Sequence, residues 1–194
     1  MKDLNFLYEM GCLRFVQRTW KYFQNPDFAN VSEHIFRVMW IALVLAKYEK
    51  CSETDTIMKM VLVHDIPEIR TNDVNYLSRL YVDRHEEKAL HDQLAQSVLG
   101  EEFEAIWHAY EKRDSLAAKI VKDADNLDVD MELQEQSVKG VQLAEIWKEM
   151  RTKVAAEKLY TKTARKMAAE IKSSNPHDWH LQAPNRFTQG DWKK

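Results

Sequence analysis

Residues 31–50 read VSEHIFRVMWIALVLAKYEK. Ile35, Val38, Met39, Ala42, Leu45 and Ala46 recur there at spacings of three and four, the period of a helix with one face against a core. Ser32 reads as the N-cap, and the helix is expected to run to about Lys50. His34 shares the inward face with Val38, Ile41 and Leu45, so an ionisable ring is aimed at the interior.

The rest of the chain reads the same way. Leu4 to Gln24 has an approximate helical period, with Gly11 as its weak point and Asn25-Pro26-Asp27 as its break. Ser52 to Asp55 caps a short helix bearing Ile57, Met60, Val61 and His64 on one face, which Pro67 helps to terminate. Further helices are expected over Leu77–Leu99, stopped at Gly100, over Glu101–Glu111 and over Ser115–Val138, with a last one after Gly140 that ends near Ser173. Only 4 Gly and 4 Pro occur in 194 residues, and no linker is visible. The expectation is an all-α, single-domain helical bundle of about seven helices over 1–172. A tail or arm, SSNPHDWHLQAPNRFTQGDWKK, covers 173–194.

Lys and Arg total 28 against 31 Asp and Glu, a formal charge of -3 with both signs interspersed. No basic field is present to engage polymeric nucleic acid or an anionic membrane surface. No apolar run approaches the roughly 20 residues that span a bilayer, and the N-terminus lacks a basic, apolar leader. Cys12 and Cys51 are isolated, without metal-binding or redox spacing. Together these features suggest a cytoplasmic protein with reduced thiols, and His108 and the tail's Trp179, His180 and Trp192 read as structural.

The chemistry concentrates in VLVHDIPEIRTND, residues 61–73, and in the helix that follows Ser115. His64 lies inward with Ile57 and Val61, and Asp125 lies inward behind Ala118 and Val121. Asp65 adjoins His64 at a helix end, where the two side chains can converge as the backbone turns. Buried carboxylates and imidazoles are unfavourable unless paired or metal-bound, so a convergent group of them calls for a cation. Two imidazoles and two carboxylates suit one divalent ion with open positions, Mn, Co, Ni, Fe, Mg or Zn, rather than a closed cysteine-based structural site.

The pattern His34, His64-Asp65, Asp125 on successive helices resembles that of the HD-domain metal-dependent phosphohydrolases. Arg18-Thr19-Trp20, SEH at 32–34, HDIPEIRTND at 64–73 and KDADNLD at 122–128 are similar to the compact 5'-deoxynucleotidase subgroup, over about residues 5–172. The resemblance implies an HD-type helical bundle, often a homodimer, that hydrolyses small nucleotides. It implies His34, His64, Asp65 and Asp125 as metal ligands and Glu68 as the catalytic carboxylate. Asp73 becomes either a sugar contact or a general acid, with a plain loop cap as the structural alternative. Trp20, 14 residues before His34, stands where the subgroup sets a tryptophan against the deoxyribose, and as a core aromatic it would need no such role. The subgroup has Arg directly before this Trp; here Thr19 takes that place, leaving Arg18 or Lys122 to hold the phosphate. The expected activity is hydrolysis of deoxynucleoside 5'-monophosphates. Hydrolysis of deoxynucleoside triphosphates and non-catalytic nucleotide sensing are the alternatives.

Overall fold

The structure is a computed structural model that describes residues 3–25 and 27–183. Among them it contains eleven α-helical segments and no β-strand, only an isolated bridge between Gln17 and Asn30. The all-α expectation holds. No described helix is long and apolar enough to cross a membrane.

Two helices organise the molecule. Helix α2 (Val31–Tyr48) packs most extensively on the long α7 (Leu116–Val138), and α3 (Thr54–Val63) lies against both. Val38, Ala42 and Leu45 of α2, Ile57 and Val61 of α3, and Ile120, Ala124 and Leu127 of α7 are fully buried where the three meet. The cap of α2 is Asn30 rather than Ser32. Asn30 Oδ1 accepts from the Glu33 amide at 3.0 Å while Glu33 Oε2 accepts from the Asn30 amide at 2.9 Å, a reciprocal capping box. Ser115 caps α7 as expected, accepting from the Ala118 amide.

Three expected helices are broken. The first is α1 (Asp3–Met10) followed by two 3-10 turns, Gly11–Phe15 and Thr19–Phe23, because residues 16–18 leave the helix to run beside 29–31. Val31 N donates to Val16 O at 2.9 Å and Arg18 N to Ala29 O at 3.2 Å. The chain then reverses at Gln24, whose backbone is left-handed. Leu77–Leu99 is helical only over α5 (Glu86–Leu94), apart from a 3-10 turn at Ser78–Leu80. Upstream, Asn75 Oδ1 accepts from the Leu77 and Ser78 amides at 3.1 and 2.8 Å, which competes with helix formation. Gly100 opens α6 (Gly100–Lys112) instead of stopping α5. A Cβ there would lie 2.7 Å from the Leu94 carbonyl, so the tight α5–α6 corner needs glycine.

The last expected helix is three: α8 (Leu143–Ile146), α9 (Lys148–Glu157) and α10 (Lys162–Ile171). Thr161 caps α10, and buried Asp123 accepts from the Tyr160 and Thr161 amides at 2.7 and 2.8 Å, pinning the α9–α10 corner onto α7. In the tail, α11 (Asp178–Leu181) carries an exposed Trp179, and Ser174 O accepts from Gln134 at 2.8 Å. Residues 184–194, including Trp192, lie outside the described residues.

Candidate metal centre

Helix α3 ends at Val63, and residues 64–67 turn before the short α4 (Glu68–Thr71), which begins directly after Pro67. Proline is tolerated at this point because the first amides of a helix have no intrahelical acceptor. The turn therefore delivers His64, Asp65 and Glu68 to one place, opposite His34 on α2 and Asp125 on α7. The coordinating atoms of His34, His64 and Asp125 lie within 4.8 Å of one another. Asp65 Oδ2 is 3.4 Å from His34 Nε2 and 3.3 Å from His64 Nε2, and Asp125 Oδ1 is 3.3 Å from His34 Nε2. All four residues read from the sequence as ligands meet here.

Both imidazoles are oriented from behind. His34 Nδ1–H donates to Asp128 Oδ2 at 2.6 Å, and His64 Nδ1–H donates to the Val61 carbonyl at 2.7 Å. Each contact fixes the tautomer that leaves Nε2 with a lone pair. Both Nε2 atoms are buried without a hydrogen-bond partner among the described residues and face the same gap. Two orphaned imidazole nitrogens beside two carboxylates fit a divalent ion. Asp128 is itself held by Arg37 Nε–H, and Arg37 reaches Glu135 at 2.7 and 2.8 Å.

The electrostatics are those of a concentrated anionic site. Burial and the Arg18 charge oppose protonation of His34, but its contacts with Asp125, Asp128 and Asp65 prevail and hold its proton well above the usual range. Burial dominates at His64 and lowers it. Burial raises Asp125, but Lys122 and the two imidazoles outweigh it and hold its carboxyl well below the usual range. Burial, with Asp65 and Asp73 nearby, pushes Glu68 well above it.

The flanking residues gather around one cavity of about 230 Å³ that also reaches Asp65 and Asp125. Glu68 enters it with Oε2 unpartnered. Asp73 Oδ2 accepts from the Thr19 amide at 2.9 Å and faces Arg18 at 3.4 Å, so it closes the 16–20 strap onto the site and is more than a loop cap. The buried Arg18 guanidinium lies between Asp73 and Asp65, 3.5 Å from the latter. The strap, not a helix, brings Arg18 to the cavity one residue before the position the subgroup uses. Trp20 lines the cavity wall edge-on to Trp147, with ring centroids 5.2 Å apart. Lys122 Nζ donates to Asp125 Oδ2 at 2.6 Å, so its charge is engaged by a candidate ligand rather than free in the cavity.

Sequence reasoning missed Arg37, Asp128 and Glu135 behind His34, and Tyr76, Arg79 and Arg151 in the cavity wall. Asp128 had a signal, since it follows Asp125 by three residues on one helix face. The others had none, because their positions depend on loops and on helix crossings.

The HD domain family matches residues 10–171, a span that includes every residue of the centre. The chain belongs to the HD domain family. Among its relatives is 5'-deoxynucleotidase HDDC2 of Bos taurus, 34% identical over 140 residues, 68% of this chain and 66% of the relative. The protein of the same name in Danio rerio is 32% identical over 136 residues, 65% of each chain. The chain thus spans about two thirds of the length of these curated relatives. A conserved hypothetical protein from Pyrococcus furiosus superposes with a TM-score of 0.72 at 24% identity, covering 88% of this chain and 99% of that one. That likeness establishes the HD domain's helical arrangement. The strap at 16–20, α2, residues 64–73 and α7 are the parts of this HD domain that carry the candidate chemistry.

Proposed function

We propose that the protein is a metal-dependent phosphohydrolase that cleaves the 5'-phosphate from deoxynucleoside monophosphates. One observation carries the reading. His34, His64, Asp65 and Asp125 converge on a gap that opens into a cavity shared with Glu68, Asp73, Arg18 and Trp20. The relatives named 5'-deoxynucleotidase support the substrate class.

In this reading those four residues hold one divalent ion. When bound, the ion neutralises phosphoryl charge and makes water acidic enough to attack near neutral pH. Glu68, buried and partnerless at Oε2, orients the attacking water and takes its proton. The new bond joins water oxygen to phosphorus, the bond to the sugar 5'-oxygen breaks, and that oxygen takes up the proton that Glu68 received from the water. The products are a deoxynucleoside and phosphate. Arg18, fixed between Asp65 and Asp73, presents its charge to the phosphate oxygens. Asp73 is already an acceptor for Thr19 N–H and faces a guanidinium, which suits a fixed contact for a sugar hydroxyl better than a proton donor. Lys122 sets the orientation of Asp125. Trp20 provides an apolar wall on which a ribose 2'-hydroxyl would be stranded.

We also read the unit as a cytoplasmic homodimer. Its two cysteines are free. The expected sixth helix, α7, is largely buried, so it leaves little face for a partner. The outer face of α2 instead exposes Phe36, Trp40, Val44 and Tyr48, one turn apart. A second copy packed antiparallel about Trp40 would set Phe36 on Val44 and Glu33 beside Lys47, a self-complementary match of apolar and charged groups.

The test is a product assay on metal-stripped protein with Mn, Co or Mg restored, against dAMP, AMP and dATP, with Glu68→Ala as control. Phosphate from dAMP, abolished in the variant, supports the reading. Cleavage of dATP but not dAMP moves the substrate to the triphosphate. Metal binding without turnover refutes it.

A further inference from the structure

The cavity that reaches the candidate ligands has a wall the proposed chemistry does not use. Tyr76 lines it and is 53% exposed, although it belongs to the loop that directly follows Asp73. Its ring lies nearly parallel to Phe23, with an interplanar angle of 13° and centroids 5.4 Å apart. Phe23 meets Trp147 edge-on at 5.5 Å, and Trp147 meets Trp20 at 5.2 Å. The four rings therefore join Trp20 in the cavity wall to an exposed ring at Tyr76.

The loop that carries Tyr76 is set in advance. Asn75 Oδ1 accepts from the Leu77 and Ser78 amides, and Arg79 Nε–H donates to the Val74 carbonyl at 2.7 Å. Such a platform, exposed but held, offers a ligand a flat surface at little ordering cost.

We infer that Tyr76 is the nucleobase platform of this site, holding the base by stacking. The inference rests on the nucleotide reading above and adds to it the contact that receives the base. Every base has a face to stack, and purines are held modestly better by their larger area. A phosphate ester that lacks a base makes no use of Tyr76.

The experiment compares wild type, Tyr76→Ala and Tyr76→Phe in the full chain with metal restored, on the four deoxynucleoside monophosphates and on 2-deoxyribose 5-phosphate. In Tyr76→Ala, kcat/KM for the nucleotides is expected to fall about tenfold, mainly through KM, while the base-free ester stays within about twofold. Tyr76→Phe keeps the ring and restores the nucleotide values. An equal loss on both classes makes Tyr76 a support of the loop and overturns the inference. So does no loss on either. Wild-type protein that cleaves neither class refutes the phosphohydrolase reading, and the platform falls with it. Cleavage of the base-free ester with no gain from any base refutes the platform alone.

Discussion

Asp128→Asn is expected to weaken divalent-ion binding by about ten- to a hundredfold. Asp128 is fully buried on α7, and its two oxygens have separate tasks: Oδ2 accepts from His34 Nδ1 at 2.6 Å, and Oδ1 accepts from Arg37 Nε. Asparagine preserves the shape but makes one of the two positions a donor. If the amide nitrogen faces His34, Nδ1 must become the acceptor, and the proton moves to Nε2, where the lone pair for the ion should be. If it faces Arg37, two donors meet and the guanidinium is left to Glu135 alone. Either arrangement loses a hydrogen bond between charged or charge-assisted partners, worth roughly 1.5–3 kcal/mol. At about 1.4 kcal/mol per tenfold, that agrees with the expected loss of affinity. The assay is calorimetric titration of metal-stripped protein with Mn or Co, beside a thermal melt that checks the fold. Because its carboxylate contacts raise the His34 pKa, protonation competes with the ion for Nε2, and wild-type affinity should rise with pH. An Asp128→Asn protein with an intact fold and affinity within about twofold of wild type would refute the orienting role.

Glu132 gives a pH-dependent stability. Burial, with Asp128 nearby, pushes its carboxyl from 4.5 up to about 7. The folded state then binds a proton that the unfolded chain releases, so this group's contribution falls as pH rises from about 4.5 to 7. Glu132→Gln is expected to raise stability at pH 8 by about 1–3 kcal/mol and to change little at pH 4.5, read by denaturant melts; the opposite order would contradict the assignment. Trp20→Ala should reduce the preference for dAMP over AMP by about tenfold, with metal affinity unchanged. For the dimer, Trp40→Glu should yield a monomer by light scattering. Glu33→Lys and Lys47→Glu should each weaken association while the double reversal restores it, and additive losses would place the interface elsewhere.

The core of this fold was legible because its helices are long and strongly patterned. His34 and Asp125 were recoverable as inward positions because α2 and α7 keep a regular period through them. The broken segments were not legible from periodicity, since the breaks come from tertiary contacts or, after Asn75, from a local side-chain bond to the backbone. Residues 16–18 leave a helical pattern to bond Ala29 and Val31, and the α5–α6 corner is set by contact between Gly100 and Leu94. The position of Arg18 was legible only as a question, because its shift by one residue matters only once the strap places it between Asp65 and Asp73. Asp128 lay within a quoted motif and was passed over, since a residue that orients a ligand has the same inward spacing as the ligand itself.

The same placement explains how four carboxylates coexist around one small cavity. Asp65 and Asp73 share Arg18, Asp125 has Lys122, and the crowded carboxylates favour proton uptake at His34 and at Glu68. The two fixed cations approach oxygens of carboxylates whose partners across the gap are imidazole nitrogens, so they hold Asp65 and Asp125 in place. Proton uptake at His34 and Glu68 has a different character, because it falls on the groups that chemistry must free. A cation entering among the four ligands would compete with protonation of His34 and lower the Glu68 pKa by Coulomb repulsion of the proton. Ion binding and activation of Glu68 are therefore linked events in this arrangement. Arg18 and Lys122 remain in place through both, and this separates side chains that build the site from those that react in it.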